Sequence, residues 1–282
     1  MQKTHTLLIT GAASGIGAGI ASQLAEAGRH VIVSDLNLEA AEAVAAQIRA
    51  EGGSAEAVAL DVTSQDSIDA ALATISRPID VLVNNAGLQH VSPLEDFPIE
   101  KWDFLVQVML VGVARLTRAV LPGMRERGFG RIVNIGSISA KDAAPWHGPY
   151  GAAKSGVIAL TRTMANEWQE CGIRANSVSP GAVMSQRVID KSANMSDAAK
   201  TSRAPSDTVI FSEPDELANA IVFLLSDLAS GISGQNLTVD RALSTKFSGG
   251  ARRSRKEMRE LQQQQYGSAR WNWEISPQQA LS

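Results

Sequence analysis

Seven short apolar runs alternate with longer amphipathic stretches along this chain, and no other feature restricts its fold so strongly. The runs are Thr6–Thr10, Val31–Ser34, Ala55–Leu60, Val81–Val83, Arg131–Ile135, Arg174–Ser179 and Asn236–Val239. Apolar residues recur at helical spacing between them, over approximately Ile16–Ala27, Leu38–Glu51, Gln65–Ile75, Ile99–Arg127, Tyr150–Glu170 and Pro214–Leu225. Strands buried on both faces read as near-continuous apolar runs, and parallel strands require long crossovers. The pattern therefore predicts an α/β protein whose parallel seven-stranded sheet carries helices on both faces. In the fifth helical stretch Val157, Ile158, Thr161, Met164, Ala165 and Trp168 share the face expected to meet the sheet.

A chain of 282 residues with 44% hydrophobic content can bury one large core. A single domain is expected over residues 1–243, followed by an extension over 244–282. The polar, weakly periodic stretch Ala182–Ser212 follows the carboxyl end of a predicted strand. Ligands of open α/β sheets bind at such ends, so a lid over about 184–212 is expected.

The first run leads into Gly11-Ala12-Ala13-Ser14-Gly15-Ile16-Gly17 and then a helix. Glycines there permit a tight turn and close approach of backbone to phosphate, while the helix N-terminus favours negative charge. The implied architecture is a Rossmann-type doubly wound sheet binding a dinucleotide. Asp35 ends the second strand, where a carboxylate can accept hydrogen bonds from ribose hydroxyls and would repel a 2′-phosphate. Neither Ala13 nor Leu36 supplies a basic side chain for that phosphate, so NAD is expected rather than NADP.

Ser137 stands at a strand end, and Tyr150 and Lys154 follow it, four residues apart on a helix. Positions i and i+4 share a helix face, so the Lys154 ammonium can sit beside the Tyr150 phenol. A neighbouring cation favours phenolate, which makes the phenol usable as a base nearer neutrality. Such a trio suits proton removal from an alcohol.

The residues T-G-A-A-S-G-I-G (10–17), Asp61-Val62, N-N-A-G (84–87), Ser137, Y-G-A-A-K (150–154) and S-P-G-A-V (179–183) together resemble the short-chain dehydrogenase/reductase family from Thr6 to Asp240. The resemblance implies that Asp61 and Val62 contact the adenine and that Asn85 and Gly87 line the cofactor cleft. It also implies that Pro180, Gly181 and Val183 hold the nicotinamide carboxamide. Ser137 would hydrogen-bond the substrate oxygen and Tyr150 would take its proton. Lys154 would bind the nicotinamide ribose and, with the positive ring, depress the Tyr150 pKa. Two departures stand out: Met109 occupies the place where the family carries a catalytic Asn, and Asp240-Arg241-Ala242 replaces a frequent D-G-G.

The stretch 85–102 is similar to the D-3-hydroxybutyrate dehydrogenase branch of the family, in which the position of Gln89 helps to bind a carboxylate. Other carboxylate-binding positions of that branch have become Ser139, His147 and Ala182. The substrate pocket is therefore expected to differ. Gln89, Ser139, His147 and Arg187 are the candidate substrate contacts, with Trp146 a candidate apolar wall and His90 a weaker candidate. A loop histidine commonly serves only as a turn residue. The expected substrate is a small polar polyol, sugar or hydroxy acid.

The formal charge is −3, but the segment from Arg241 onward holds eight Lys/Arg against three Asp/Glu, leaving about −8 elsewhere. An acidic body argues against a general nucleic-acid binder, although Arg252–Lys256 is a basic run. The tail, with Trp271 and Trp273, is expected to pack on a neighbouring subunit of a homotetramer or homodimer. A single cysteine, Cys171, excludes an intramolecular disulfide framework, and neither a signal peptide nor a membrane-length apolar run is read from the sequence. Cytoplasmic location is the expectation, and no metal site is expected. An NAD-dependent alcohol oxidoreductase accounts for most of these features. The alternative is a catalytically weak NAD-binding relative with a regulatory or scaffold role, motivated by Met109.

Overall fold

The structure is a computed structural model and describes residues 5–90, 92–142, 146–183 and 211–245. Seven strands form one sheet: β1 (Thr6–Thr10), β2 (His30–Asp35), β3 (Ser54–Ala59), β4 (Val81–Asn84), β5 (Gly130–Ile135), β6 (Ile173–Pro180) and β7 (Asn236–Val239). Their order is β3-β2-β1-β4-β5-β6-β7, and every adjacent pair is parallel. Chain order reverses between β1 and β4, which leaves a crevice at the carboxyl ends of the strands. The expected Rossmann-type doubly wound fold is thus observed.

Helices α1 (Gly15–Glu26), α2 (Leu38–Ala50) and α3 (Gln65–Thr74) follow the first three strands. A long helix follows β4, consisting of α4 (Ile99–Val106), a π-helical segment Gln107–Val111 and α5 (Gly112–Arg127). Two more complete the layers, α6 (Gly148–Trp168) and α7 (Pro214–Leu225). Successive strand residues point to opposite faces, so the apolar runs supply two cores. Leu8, Ile32, Leu82 and Ile132 meet Leu105, Leu116, Val157 and Met164 of the helices on one face. Leu7, Ile9, Val31 and Val33 meet Ile20, Leu24, Ile48 and Ile221 on the other.

The helix Ile99–Arg127 has 29 residues and an 18-residue window of hydropathy 1.7, long and apolar enough to cross a membrane by composition alone. That corrects the expectation that no such run exists. Its apolarity has a local use: Leu105, Met109, Leu116 and Met124 are fully buried in the first core. Within it, Gly112 lies so close to Val62 that a Cβ would come 2.9 Å from Cγ2.

By compactness the chain divides into Met1–Thr245 and Lys246–Ser282. The second unit, and with it the expected subunit-packing role of the tail, lies outside the described residues. So does most of the expected lid. Its described end, Phe211–Ser212, pairs with the residues that follow β6: Ser212 N–H donates to the Ala182 carbonyl at 2.7 Å, and Ser212 forms an isolated bridge with Val183.

Candidate active site

A cleft of about 930 Å³ opens over the carboxyl ends of the strands, within the range of about 300–1,000 Å³ usual for ligand pockets. One end is built by the glycine turn. Gly11 has φ 63° and Gly15 φ 58°, a region most side chains avoid. A Cβ on Gly17 would lie 2.3 Å from the Gly11 carbonyl oxygen, so helix and turn can approach only without one. Ser14 is the N-cap of α1 but makes no side-chain capping bond, and no acidic residue occupies the first turn. The first N–H groups of α1 therefore remain available to phosphate oxygens. An open helix N-terminus beside a glycine cradle fits the pyrophosphate of a dinucleotide.

Asn85 braces this turn. Its backbone N–H donates to Thr10 Oγ1, and its Nδ2 donates to the carbonyls of Thr10 and Gly11, each within 3.0 Å. Asp35 lines the cleft at the end of β2; its Oδ2 accepts from Ala13 N and its Oδ1 from Asn37 N, both at 3.2 Å. Ser14, Gly15, Ile16, Gly17 and Gly87 line the same cleft. Asp61 and Val62 do not line it among the described residues. Asp61 Oδ1 accepts from the backbone N–H and hydroxyl of Thr63 at 2.8 and 2.7 Å, and Val62 is buried against Gly112.

Farther along the cleft, Ser137, Tyr150 and Lys154 come together. Ser137 follows β5 and caps a short 3₁₀ turn, its hydroxyl accepting from Ser139 N at 3.1 Å. Tyr150 and Lys154 occupy the first two turns of α6, which starts at Gly148 rather than Tyr150 because Pro149 suits a first turn. Lys154 is buried and donates to the Ile135 carbonyl at 2.6 Å. Desolvation lowers its pKa from 10.5 to about 8.

Burial opposes the expected depression of the Tyr150 pKa, which rests on Lys154 and the positive nicotinamide ring together. The ring is half-buried, yet the enclosed surroundings of the phenol raise its pKa, and the hydrogen bond with Ser137 acts in the opposite direction. Lys154 Nζ lies 5.9 Å from the ring centroid, within the range over which a cation favours the phenolate. Burial by itself favours the neutral phenol.

Gln89 and Ser139 line the cleft, as do Pro180, Gly181 and Val183. His147 sits at the N-cap of α6 with its ring centroid 6.3 Å from that of Tyr150, edge-on, and is not part of the cleft lining. Trp146 is 60% exposed and outside the lining, which corrects its expected role as an apolar wall. His90 packs edge-on against Phe97 at 5.2 Å. Arg187 lies outside the described residues.

Sequence reasoning missed Leu88, Ile138, Phe211 and Leu243, all of which line the cleft. It also missed a buried polar chain beneath the site. Asn84 Nδ2 donates to Asn134 Oδ1 at 2.8 Å, and Asn134 Nδ2 donates to Thr161 Oγ1 at 2.9 Å. An asparagine inside the run Arg131–Ile135 and another directly after Val81–Val83 were the available signal, since a buried amide requires partners. Met109 lies in the π-helical segment, fully buried, with its sulfur 3.6 Å from where a Gly87 Cβ would stand.

Fold and cleft together define a nicotinamide-dependent oxidoreductase. The chain belongs to the short-chain dehydrogenase/reductase family; a family model described as enoyl-(acyl carrier protein) reductase matches residues 11–244. It is 38% identical over 242 residues to D-threitol dehydrogenase of Mycolicibacterium smegmatis, covering 85% of this chain and 92% of the relative. It is 34% identical over 254 residues to D-beta-hydroxybutyrate dehydrogenase of Cupriavidus necator, covering 85% and 98%. Among solved structures, a gluconate 5-dehydrogenase from Burkholderia cenocepacia in complex with NADP and tartrate superposes with a TM-score of 0.79. That protein is 34% identical, and the match covers 87% of this chain and 97% of the other.

Proposed function

We propose that this protein is an NAD-dependent dehydrogenase interconverting a small polar secondary alcohol, of polyol, sugar or hydroxy-acid type, with its ketone. The observation that carries this reading is the convergence of Ser137, Tyr150 and Lys154 in the cleft that begins at the glycine turn. The named relatives act on such compounds. NAD is favoured over NADP by Asp35 at the ribose end, and Lys154 is the only cation among the described lining residues. A 2′-phosphate would thus meet a carboxylate without a compensating charge.

The bound nicotinamide cofactor supplies a hydride acceptor. Ser137 orients the carbinol oxygen, and Tyr150 Oη accepts its proton. Lys154 has three N–H donors, one of which is used on Ile135, leaving two for ribose hydroxyls. Burial raises the Tyr150 pKa, so deprotonation depends on the Lys154 ammonium and on the positive charge carried by the oxidised cofactor.

A panel of alcohols with NAD and NADP, and Tyr150→Phe as control, tests the reading. NAD turnover lost in Tyr150→Phe is expected; equal rates in that variant refute it. Better turnover with NADP, unimproved by Asp35→Ala, refutes the cofactor assignment. Assembly as a homotetramer or homodimer is proposed with it. Exposed Phe223, Leu228 and Leu237 support association, Leu237 lying on the edge strand β7. Light scattering at the monomer mass would exclude it.

A further inference from the structure

The segment leaving β7 takes a conformation that its residues resist. Arg241 has φ 47° and Ala242 φ 62°, the left-handed region that non-glycine residues rarely enter. Such geometry persists only where neighbours impose it. Here Asp240, 6% exposed, accepts from Ala242 N with Oδ1 at 3.0 Å and from Ser244 N with Oδ2 at 2.7 Å. Its carbonyl accepts from Leu243 N at 2.9 Å. Arg241 Nε donates to both carboxylate oxygens of Glu216 in α7, at 3.0 and 2.9 Å. Burial would raise the Asp240 pKa, but bonds from Ser244, Ala242 and Leu243 outweigh it and hold the carboxyl below its usual value. The acceptor is therefore kept ionised.

The outcome of this clamped turn is the placement of Leu243. Its side chain lines the cleft, and its Cδ2 lies 3.5 Å from where a Gly181 Cβ would stand. Strand order separates the cleft walls chemically. The ends of β4 and β5 carry the polar groups Gln89, Ser137 and Ser139, beside Leu88 and Ile138. Among the described residues, the side of β6 and β7 offers Ala182, Val183, Phe211 and Leu243, without a polar side chain.

We propose that Leu243, delivered by the strained Arg241–Ala242 turn, is a specificity-determining residue that packs against a short hydrocarbon arm of the substrate. The other arm is polar and faces Gln89 and Ser139. Asp240 is the positioning residue. The proposal rests on the alcohol-oxidising reading and narrows it: one arm of the carbinol carbon is apolar, where a fully hydroxylated chain would leave a hydroxyl without a partner.

A matched pair of alcohols tests it: butane-1,2,3-triol and the tetritol of the same configuration, which differ in one arm, methyl against hydroxymethyl. The wild type should prefer the methyl arm by about tenfold or more in kcat/KM. Leu243→Asn should reduce that ratio to near unity, and a ratio unchanged within about twofold overturns the proposal. Asp240→Asn, which loses one acceptor, should raise KM for the methyl-armed alcohol while leaving kcat and the tetritol KM unchanged. Equal effects on both alcohols mean a general structural role and overturn the positioning claim. Calorimetric binding of the same pair to Tyr150→Phe with NADH reads the preference without turnover. An affinity ratio that depends on Leu243 upholds the proposal even if the wild type oxidises neither alcohol, in which case the functional reading alone fails. Equal affinities, or no binding of either alcohol, overturn the proposal.

Discussion

Lys154→Met should abolish turnover and at the same time stabilise the cofactor-free fold at neutral pH. The Lys154 side chain is buried, and desolvation lowers its pKa from 10.5 to about 8. Each unit corresponds to about 1.4 kcal/mol, so keeping the ammonium buried costs about 3 kcal/mol at pH 7, below both values. Methionine fills similar volume without charge but forfeits the charge-assisted bond to the Ile135 carbonyl, which contributes about 2 kcal/mol. The net expectation is a gain of about 1 kcal/mol. Between pH 8 and 10.5 the unfolded chain holds a proton on Lys154 that the folded chain has released. Wild-type stability therefore rises with pH across that window relative to the variant. Tyr150, whose pKa is raised, acts oppositely only once the unfolded phenol ionises near pH 10, and it is common to both proteins. Urea unfolding from pH 7 to 10 would measure the gap. A variant less stable than wild type at pH 7, or a gap independent of pH, would refute the reasoning.

Gly17→Ala places a Cβ 2.3 Å from the Gly11 oxygen and 2.6 Å from Asn85 Nδ2. It should destabilise the fold by about 1–3 kcal/mol and weaken NADH binding, read by fluorescence titration and urea unfolding. Ser137→Ala removes the bond that holds the Tyr150 pKa down. The rising limb of kcat against pH should then move to higher pH; a limb at the wild-type position would mean that Ser137 does not tune Tyr150. Asn134→Ala leaves Asn84 and Thr161 without a shared partner in the core. A loss of about 1–3 kcal/mol is expected from calorimetric melting, with NADH affinity little changed.

Much of the fold was legible because it follows from local rules. Alternation of apolar runs and amphipathic stretches is written residue by residue, and the strand and helix positions differ from it by only a residue or two. The helix beginning at Gly148 shows where local reading stopped: its apolar spacing places the start at Tyr150, whereas Pro149 belongs to its first turn. Among site residues, the glycine turn and the Ser137, Tyr150 and Lys154 spacing could be read because each depends on neighbours close in sequence. Leu88, Phe211 and Leu243 carried no signal, being ordinary apolar residues that distant strands bring to one cleft. Trp146 misled for the converse reason. Large and apolar, it lies near the site in sequence but turns to solvent with φ 68°.

Sequence alone determined the doubly wound architecture, the glycine turn and the positions of Ser137, Tyr150 and Lys154 as the proposed proton-handling trio, because these rest on periodicity and short spacings. Only the tertiary structure decided how that trio is poised. Burial by residues from distant elements raises the Tyr150 pKa and lowers that of Lys154, opposing the simple picture of a phenol activated by an adjacent lysine. The clamped turn after β7 likewise exists only because Asp240 and Glu216 hold it from either side. Desolvation and imposed strain depend on what surrounds a residue in three dimensions, and spacing along the chain does not encode them.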